Sequence, residues 1–145
     1  MRVRSRADAG FTLVELMVVI VIVGLAASVV VLTMPETGGS LAGEAESFAA
    51  RAKAARDGAI LEARPAAVRI GPGGYAVARR LDGEWRAEPA HQWAEGTAAE
   101  LTGGTGGGIR FDATGLAEPA FVTLRRGERQ VAVQIGADGN VTVRR

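Results

Sequence analysis

The 145-residue chain has no cysteine and a single histidine, His91. Without thiols there are no disulfides, no thiolate metal sites and no cysteine nucleophile. No serine follows Ser47, so neither a Ser–His–Asp nor a Cys–His site can be assembled in the region beyond it. Aromatic residues make up only 5% of the chain, which predicts a thin core built from small side chains. An excess of one charge is missing too: the formal net charge is +1. The first ten residues hold three Arg and one Asp, and Glu15 follows, so 14 basic and 14 acidic residues lie beyond Leu32. A balanced domain offers no general electrostatic case for nucleic acid or an anionic surface. The 113 residues beyond Leu32 suffice for one small domain with its own core.

What the chain does have is one long apolar run. From Phe11 to Leu32 there are 22 residues and one charge, Glu15. As a helix the run would be roughly 33 Å long, enough to cross a hydrocarbon core of about 30 Å. Its many β-branched residues do not oppose a helix there, because in lipid only a helix satisfies a single segment's backbone internally. A carboxylate in lipid costs roughly 2.5–3.5 kcal/mol on insertion scales and calls for a partner. The Arg-rich segment before the run predicts a cytoplasmic N-terminus by the positive-inside rule. An ordinary secretory signal would be cut after the run, near Ala26-Ala27-Ser28. Against it, the apolar run continues through Val29-Val30-Val31-Leu32. A plain signal anchor is the other alternative, and neither has a use for Glu15.

If the chain is cut after Gly10, Phe11 carries a new ammonium and Glu15 lies one helical turn away, where the two charges can neutralise each other within or between chains. The sequence Gly10-Phe11-Thr12-Leu13-Val14-Glu15, behind a basic leader and fused to an apolar helix, resembles the class III signal of type IV pilins and type II secretion pseudopilins. The resemblance implies that a prepilin peptidase cuts between Gly10 and Phe11 and N-methylates Phe11. It also implies that Glu15 is the carboxylate needed for assembly and for neutralising the new N-terminus.

Beyond the run, Pro35, Gly38 and Gly39 predict a break or bend, although a first helix continuing past this point with a kink is also compatible with the resemblance. Ser40 can cap a second helix from Leu41 to about Glu62. Leu41, Ala45, Phe48, Ala52, Ala55 and Ala59 mark one face of it, Ile60 and Leu61 widen that face, and Glu44, Glu46, Arg51, Lys53, Arg56 and Asp57 take the other. The mixed signs of the polar side favour packing on a sheet over lying on a membrane. Strands are expected at Ala67–Ile70 and Tyr75–Ala78 around Gly71-Pro72-Gly73-Gly74, then at Glu84–Arg86. Further strands fall at Ile109–Phe111, Ala120–Leu124, Gln130–Ile135 and Val141–Val143, with a hairpin turn at Ala137–Asn140. Glu88 to Gly108 reads as loop. The architecture is α+β: a pilin-like long N-terminal helix, membrane-spanning in its first half and amphipathic in its second, packed on antiparallel sheet. The domain reading is 1–10 leader, 11–32 transmembrane helix, 33–40 hinge and 41–145 periplasmic globular domain.

The globular half extends the resemblance. The helix Glu44–Ile60 running into Arg64-Pro65-Ala66-Ala67-Val68, the segment Ile109–Gly115, and Val131-Ala132-Val133 before a Gly139 turn are similar to the H-type minor pseudopilins of type II secretion and the FimT-type minor pilins. The H-type resemblance implies a structural, non-enzymatic subunit at or near the tip of a periplasmic pseudopilus that helps drive secretion of folded proteins. Its implied partners are other minor and major pseudopilins, the prepilin peptidase, the inner-membrane secretion platform and membrane lipid. The alternative is a FimT-type minor pilin of a type IV pilus, some of which bind DNA in natural transformation. Arg125, Arg126, Arg129, Arg144 and Arg145 are its candidate phosphate contacts, disfavoured by the neutral domain and the shortage of stacking aromatics. No cofactor or metal is expected: His91 sits in a loop, and Asp112 and Asp138 are too isolated for the calcium loop of major pseudopilins. Gly103–Gly108 lacks the Lys-Ser/Thr ending of a phosphate loop and precedes a strand. The carboxylates Asp82, Glu84, Glu88, Glu95 and Glu100 read as solvated loop charge.

Overall fold

The structure, a computed structural model, describes residues 12–33 and 39–145, with side chains at 12–25 and 39–145. The leader, the Gly10–Phe11 bond and the hinge residues 34–38 lie outside the described residues. The chain divides into two units between Glu36 and Thr37. The first contains helix α1, Leu13–Thr33. Among its described residues the second contains helix α2, Leu41–Leu61, and nine strands: β1 Ala66–Gly71, β2 Gly74–Leu81, β3 Glu84–Ala87, β4 His91–Gln92, β5 Ala98–Gly103, β6 Gly108–Phe111, β7 Ala120–Arg126, β8 Arg129–Ile135 and β9 Val141–Arg144.

Helix α2 has a capped start of its own. Ser40 is extended, with φ −84° and ψ 143°, and its hydroxyl accepts from Gly43 N at 3.0 Å, which satisfies one of the orphan amides of the first turn. All six residues of the apolar stripe, from Leu41 to Ala59, are buried. Four of them are alanines, so the helix axis comes close to the sheets, and Phe48, fully buried, packs against the Tyr75 and Trp93 rings. The stripe does not widen as expected: Ile60 and Leu61 are exposed at 41% and 85%, because the helix ends there and the chain turns through Ala63 at φ 50°. Glu44, assigned by the sequence to the polar side, is buried on the apolar face, a correction whose reason lies in the ion pair described below.

The strands form two antiparallel sheets. In the first the order is β3-β2-β1-β6, with β4 also on β2; in the second it is β5-β7-β8-β9. Alternation decides which side chains face the helix. Ala66, Val68, Tyr75, Val77, Ile109 and Phe111 of the first sheet join Ala120, Val122, Leu124, Val131, Val133 and Ile135 of the second in one core with α2.

The stretch 88–108 is a correction. It contains β4, paired Tyr75 to His91 and Gly74 to Gln92, and β5, the edge of the second sheet, paired along its length with β7. The segment Ala98–Gly103 has weak intrinsic strand preference, but pairing with Ala120–Arg125 and the packing of Ala99 and Leu101 on the core override it.

Candidate functional site

Thr12 and Glu15 build the start of α1. The Thr12 carbonyl accepts from Leu16 N at 3.2 Å, and its hydroxyl accepts from Glu15 N at 3.2 Å. Thr12 therefore acts as the N-cap, and Glu15 falls in the first turn, where the helix dipole favours a carboxylate. Thr-x-x-Glu is the spacing of a capping box, a signal in the sequence that had passed unremarked. Glu15 thus occupies the first turn of α1 for a local reason, the Thr12 cap and the helix dipole. Gly10 and Phe11, the expected cleavage and methylation positions, lie outside the described residues.

The apolar side chains of α1 leave no polar face. Leu13, Val14, Leu16, Met17, Val18, Val19, Ile20, Val21, Ile22, Val23 and Leu25 are all exposed, from 46% to 75%. A helix that is apolar all round must be covered by lipid or by other helices. Among the described residues no helix is long and apolar enough to cross a membrane; the described side chains of α1 stop at Leu25, and residues 26–32, which complete the apolar run, lie beyond them.

In the globular unit, Glu44 is the buried hub. Its carboxylate accepts from Ala94 N at 2.6 Å, from the Thr97 hydroxyl at 2.8 Å and from Arg126 Nη2 at 2.6 Å. Arg126 also donates to the Thr97 hydroxyl and, at 2.6 Å, to the Gly39 carbonyl. One ion pair so joins the start of α2, the end of β7 and the loop before β5. The signal for this residue lay in spacing: Glu44 is three residues after Leu41 and four before Phe48, on the apolar stripe itself.

That geometry sorts the five candidate phosphate-contacting arginines. Arg125, Arg126 and Arg129 lie at the β7–β8 hairpin, with Arg126 opposite Arg129. Arg144 lies near the same end of the sheet, opposite Ala132. Arg126 is committed to Glu44, Arg144 Nε donates to Gln134 Oε1 at 2.6 Å, and Arg145 pairs with Glu46 at 2.6 Å across exposed side chains. Among the described residues, the side chains of Arg125 and Arg129 alone of the five have no ion-pair or hydrogen-bond partner.

The remaining candidates take local positions. Asp112 accepts from Thr114 N, the Thr114 hydroxyl and Leu116 N; the Thr114 hydroxyl leads in holding its pKa below the usual value. Asp138 accepts from Asn140 N and Nδ2, and the Asn140 amide leads in lowering its pKa. Both aspartates build turns. Arg56 on α2 clamps those turns by donating to the Gly115 and Asp138 carbonyls at 3.1 and 3.2 Å. A Cβ at Gly139 would fall 1.9 Å from the Gly115 oxygen, so the close approach requires glycine. His91 is exposed against the Tyr75 ring, centroids 5.2 Å apart. Glu88 pairs with Arg79, while Asp82, Glu84, Glu95 and Glu100 are exposed. Gly103–Gly108 leads into β6 rather than a helix. Among the described residues no three potential metal ligands cluster.

Comparison with known proteins places these features. Residues 5–31 match the prokaryotic N-terminal methylation motif, and residues 44–139 match the type II transport protein GspH. No curated protein matches the chain. Among solved structures, the minor pseudopilin EpsH from the Type 2 Secretion System of Vibrio cholerae is similar, with a TM-score of 0.60 and 18% identity, over 69% of this chain and 92% of that one. The type IV minor pilin FimU of Pseudomonas aeruginosa strain PAO1 is similar to the same degree, with a TM-score of 0.62 and 16% identity, over 77% of this chain and 93% of that one. At such identities the likeness speaks for the fold. The family and fold are those of structural pilin-like subunits rather than enzymes. With the GspH pattern spanning most of the chain behind a methylation motif, the chain belongs to the GspH family of type II transport proteins.

Proposed function

We propose that the chain acts as a minor pseudopilin of the type II protein secretion system, at or near the tip of the periplasmic pseudopilus. A prepilin peptidase cuts Gly10–Phe11 and methylates Phe11. The mature chain spans the inner membrane once with its N-terminus cytoplasmic, and the globular unit lies in the periplasm. In the pseudopilus the apolar helix packs against those of other minor and major pseudopilins, and Glu15 meets an N-terminal ammonium. Growth from the inner-membrane platform then helps push folded proteins outward. The observation that carries this reading is the GspH-family domain joined to a helix whose described side chains are apolar on every side and exposed. Such a surface needs lipid before assembly and neighbouring helices after it.

The likeness to FimU favours a second reading, a minor pilin of a type IV pilus, with Arg125 and Arg129 as the cations available to phosphate. Deletion of the gene, with complementation, separates the two. Loss of folded proteins from the medium with surface pili intact supports the pseudopilus. Loss of pili or of DNA uptake with secretion intact supports the pilus.

A further inference from the structure

The face of the first sheet opposite its core side contains a groove of about 270 Å³. Ala66 and Val68 of β1 point into the core, so Ala67 and Arg69 between and beyond them point the other way. The floor is Ala67, Ala78 and Gly108, contributed by three strands, with Ala67 in register with Ala78 on one side and Arg110 on the other. Gly108 is there because a Cβ would fall 2.5 Å from the Val68 oxygen. One wall is Trp85, 39% exposed, with the Arg110 guanidinium carbon 5.1 Å from its ring centroid. Arg69 and Thr105 complete the rim, and no acidic side chain lines the groove. The Thr105 hydroxyl donates to the Glu118 carboxylate, which does not line the groove.

Among the described residues neither Arg69 nor Arg110 has an ion-pair partner, whereas Arg56, Arg79, Arg126 and Arg145 do. A guanidinium held near an indole keeps its in-plane N–H fork available for a carboxylate. The alanine and glycine floor lets an extended backbone approach closely. At about 270 Å³ the groove sits at the small end of ligand sites, with room for one or two side chains. A nucleic-acid strand needs a basic track along many phosphates, and the 14 basic and 14 acidic residues beyond Leu32 provide no such field. Exposed Trp and Arg are also the residue types that anchor protein interfaces.

We propose that this groove binds an acidic, extended segment of a protein partner, placing a Glu or Asp carboxylate on Arg110 and Arg69 beside Trp85. The groove's chemistry holds whichever filament the subunit enters. The test uses the full chain in detergent and a fluorescent peptide of alternating Ala and Glu, read by anisotropy. Ala/Gln and Ala/Lys peptides and oligothymidylate serve as comparison probes. The Ala/Glu peptide binds, and Arg110→Ala and Arg69→Ala each weaken it about tenfold. Arg64→Ala, an exposed residue outside the groove, leaves binding unchanged. Arg110→Glu loses the Ala/Glu peptide and gains the Ala/Lys peptide, which an unfolded variant could not do. Absence of Ala/Glu binding, equal binding by Arg110→Ala, or tighter binding of oligothymidylate than of the acidic peptide overturns the proposal.

Discussion

Arg126 at the end of β7 donates Nη2 to Glu44 Oε2 at 2.6 Å, joining residues 82 positions apart. Glu44 is buried at 8% exposure and Arg126 retains 27%. Removing either partner strands a desolvated charge, so Glu44→Ala and Arg126→Ala each lower stability by about 2–4 kcal/mol. Chemical denaturation of the two variants and their double mutant checks this. The double mutant loses less than the sum, because the pair acts as a unit.

Tyr75 presents the opposite case. Its ring packs edge-on against Phe48 at 5.0 Å and beside Trp93 at 4.8 Å, but its buried hydroxyl has no hydrogen-bond partner. The Arg51 guanidinium lies near enough to oppose the effect of burial by its charge and by a hydrogen-bonding contact that falls short of good geometry. Tyr75→Phe keeps the ring contacts and removes the stranded oxygen, so stability is unchanged or rises by about 1 kcal/mol. Burial raises the Tyr75 pKa above its ordinary value. A group whose folded pKa is raised loses its stabilising contribution as pH climbs through that value, so the wild type weakens above about pH 10 and Tyr75→Phe weakens less. Thermal melts at neutral and alkaline pH read both effects.

The alanine stripe of α2 was legible because its period is helical and unbroken, and the second sheet because Val131, Val133 and Ile135 alternate on one face. What the sequence concealed depended on distant partners. Glu44 read as a surface charge until Arg126, 82 residues away, took its carboxylate. The strand Ala98–Gly103 has no strand-like composition and exists because β7 offers it an edge. Trp85 was placed in a short strand, but its pairing with Arg110 required β2 and β1 to lie between β3 and β6. The N-terminal motif was read directly, since its meaning lies in contiguous residues.

The turn aspartates contribute to the acid limb. Asp112 and Asp138 are both held below the ordinary carboxylate pKa by local hydrogen bonds. A depressed folded pKa contributes stability that is full above the unfolded value, about 3.9, and is lost as pH falls through the folded one. Below about pH 4 the domain weakens, and Asp112→Ala with Asp138→Ala flattens that decline while lowering stability at neutral pH. Urea melts at neutral and acidic pH compare the slopes.

Glu15 separates processing from assembly. Glu15→Leu leaves the Gly10–Phe11 bond and the apolar run unchanged, so cleavage and membrane insertion persist. It removes the carboxylate proposed to meet the new ammonium, so incorporation into filaments is expected to fall by at least about tenfold, the factor set by losing about 1.4 kcal/mol of charge pairing. Quantitative blots of sheared filament and membrane fractions compare variant with wild type. Equal incorporation contradicts the role assigned to Glu15.

The central claim is that the N-terminal run is a processing site and an assembly helix in one. Intact-mass and N-terminal peptide spectrometry of the protein purified from its native membrane tests it most directly. The account predicts a chain beginning at Phe11 with a methylated amino group. A retained leader, or an N-terminus near Ser28, contradicts it.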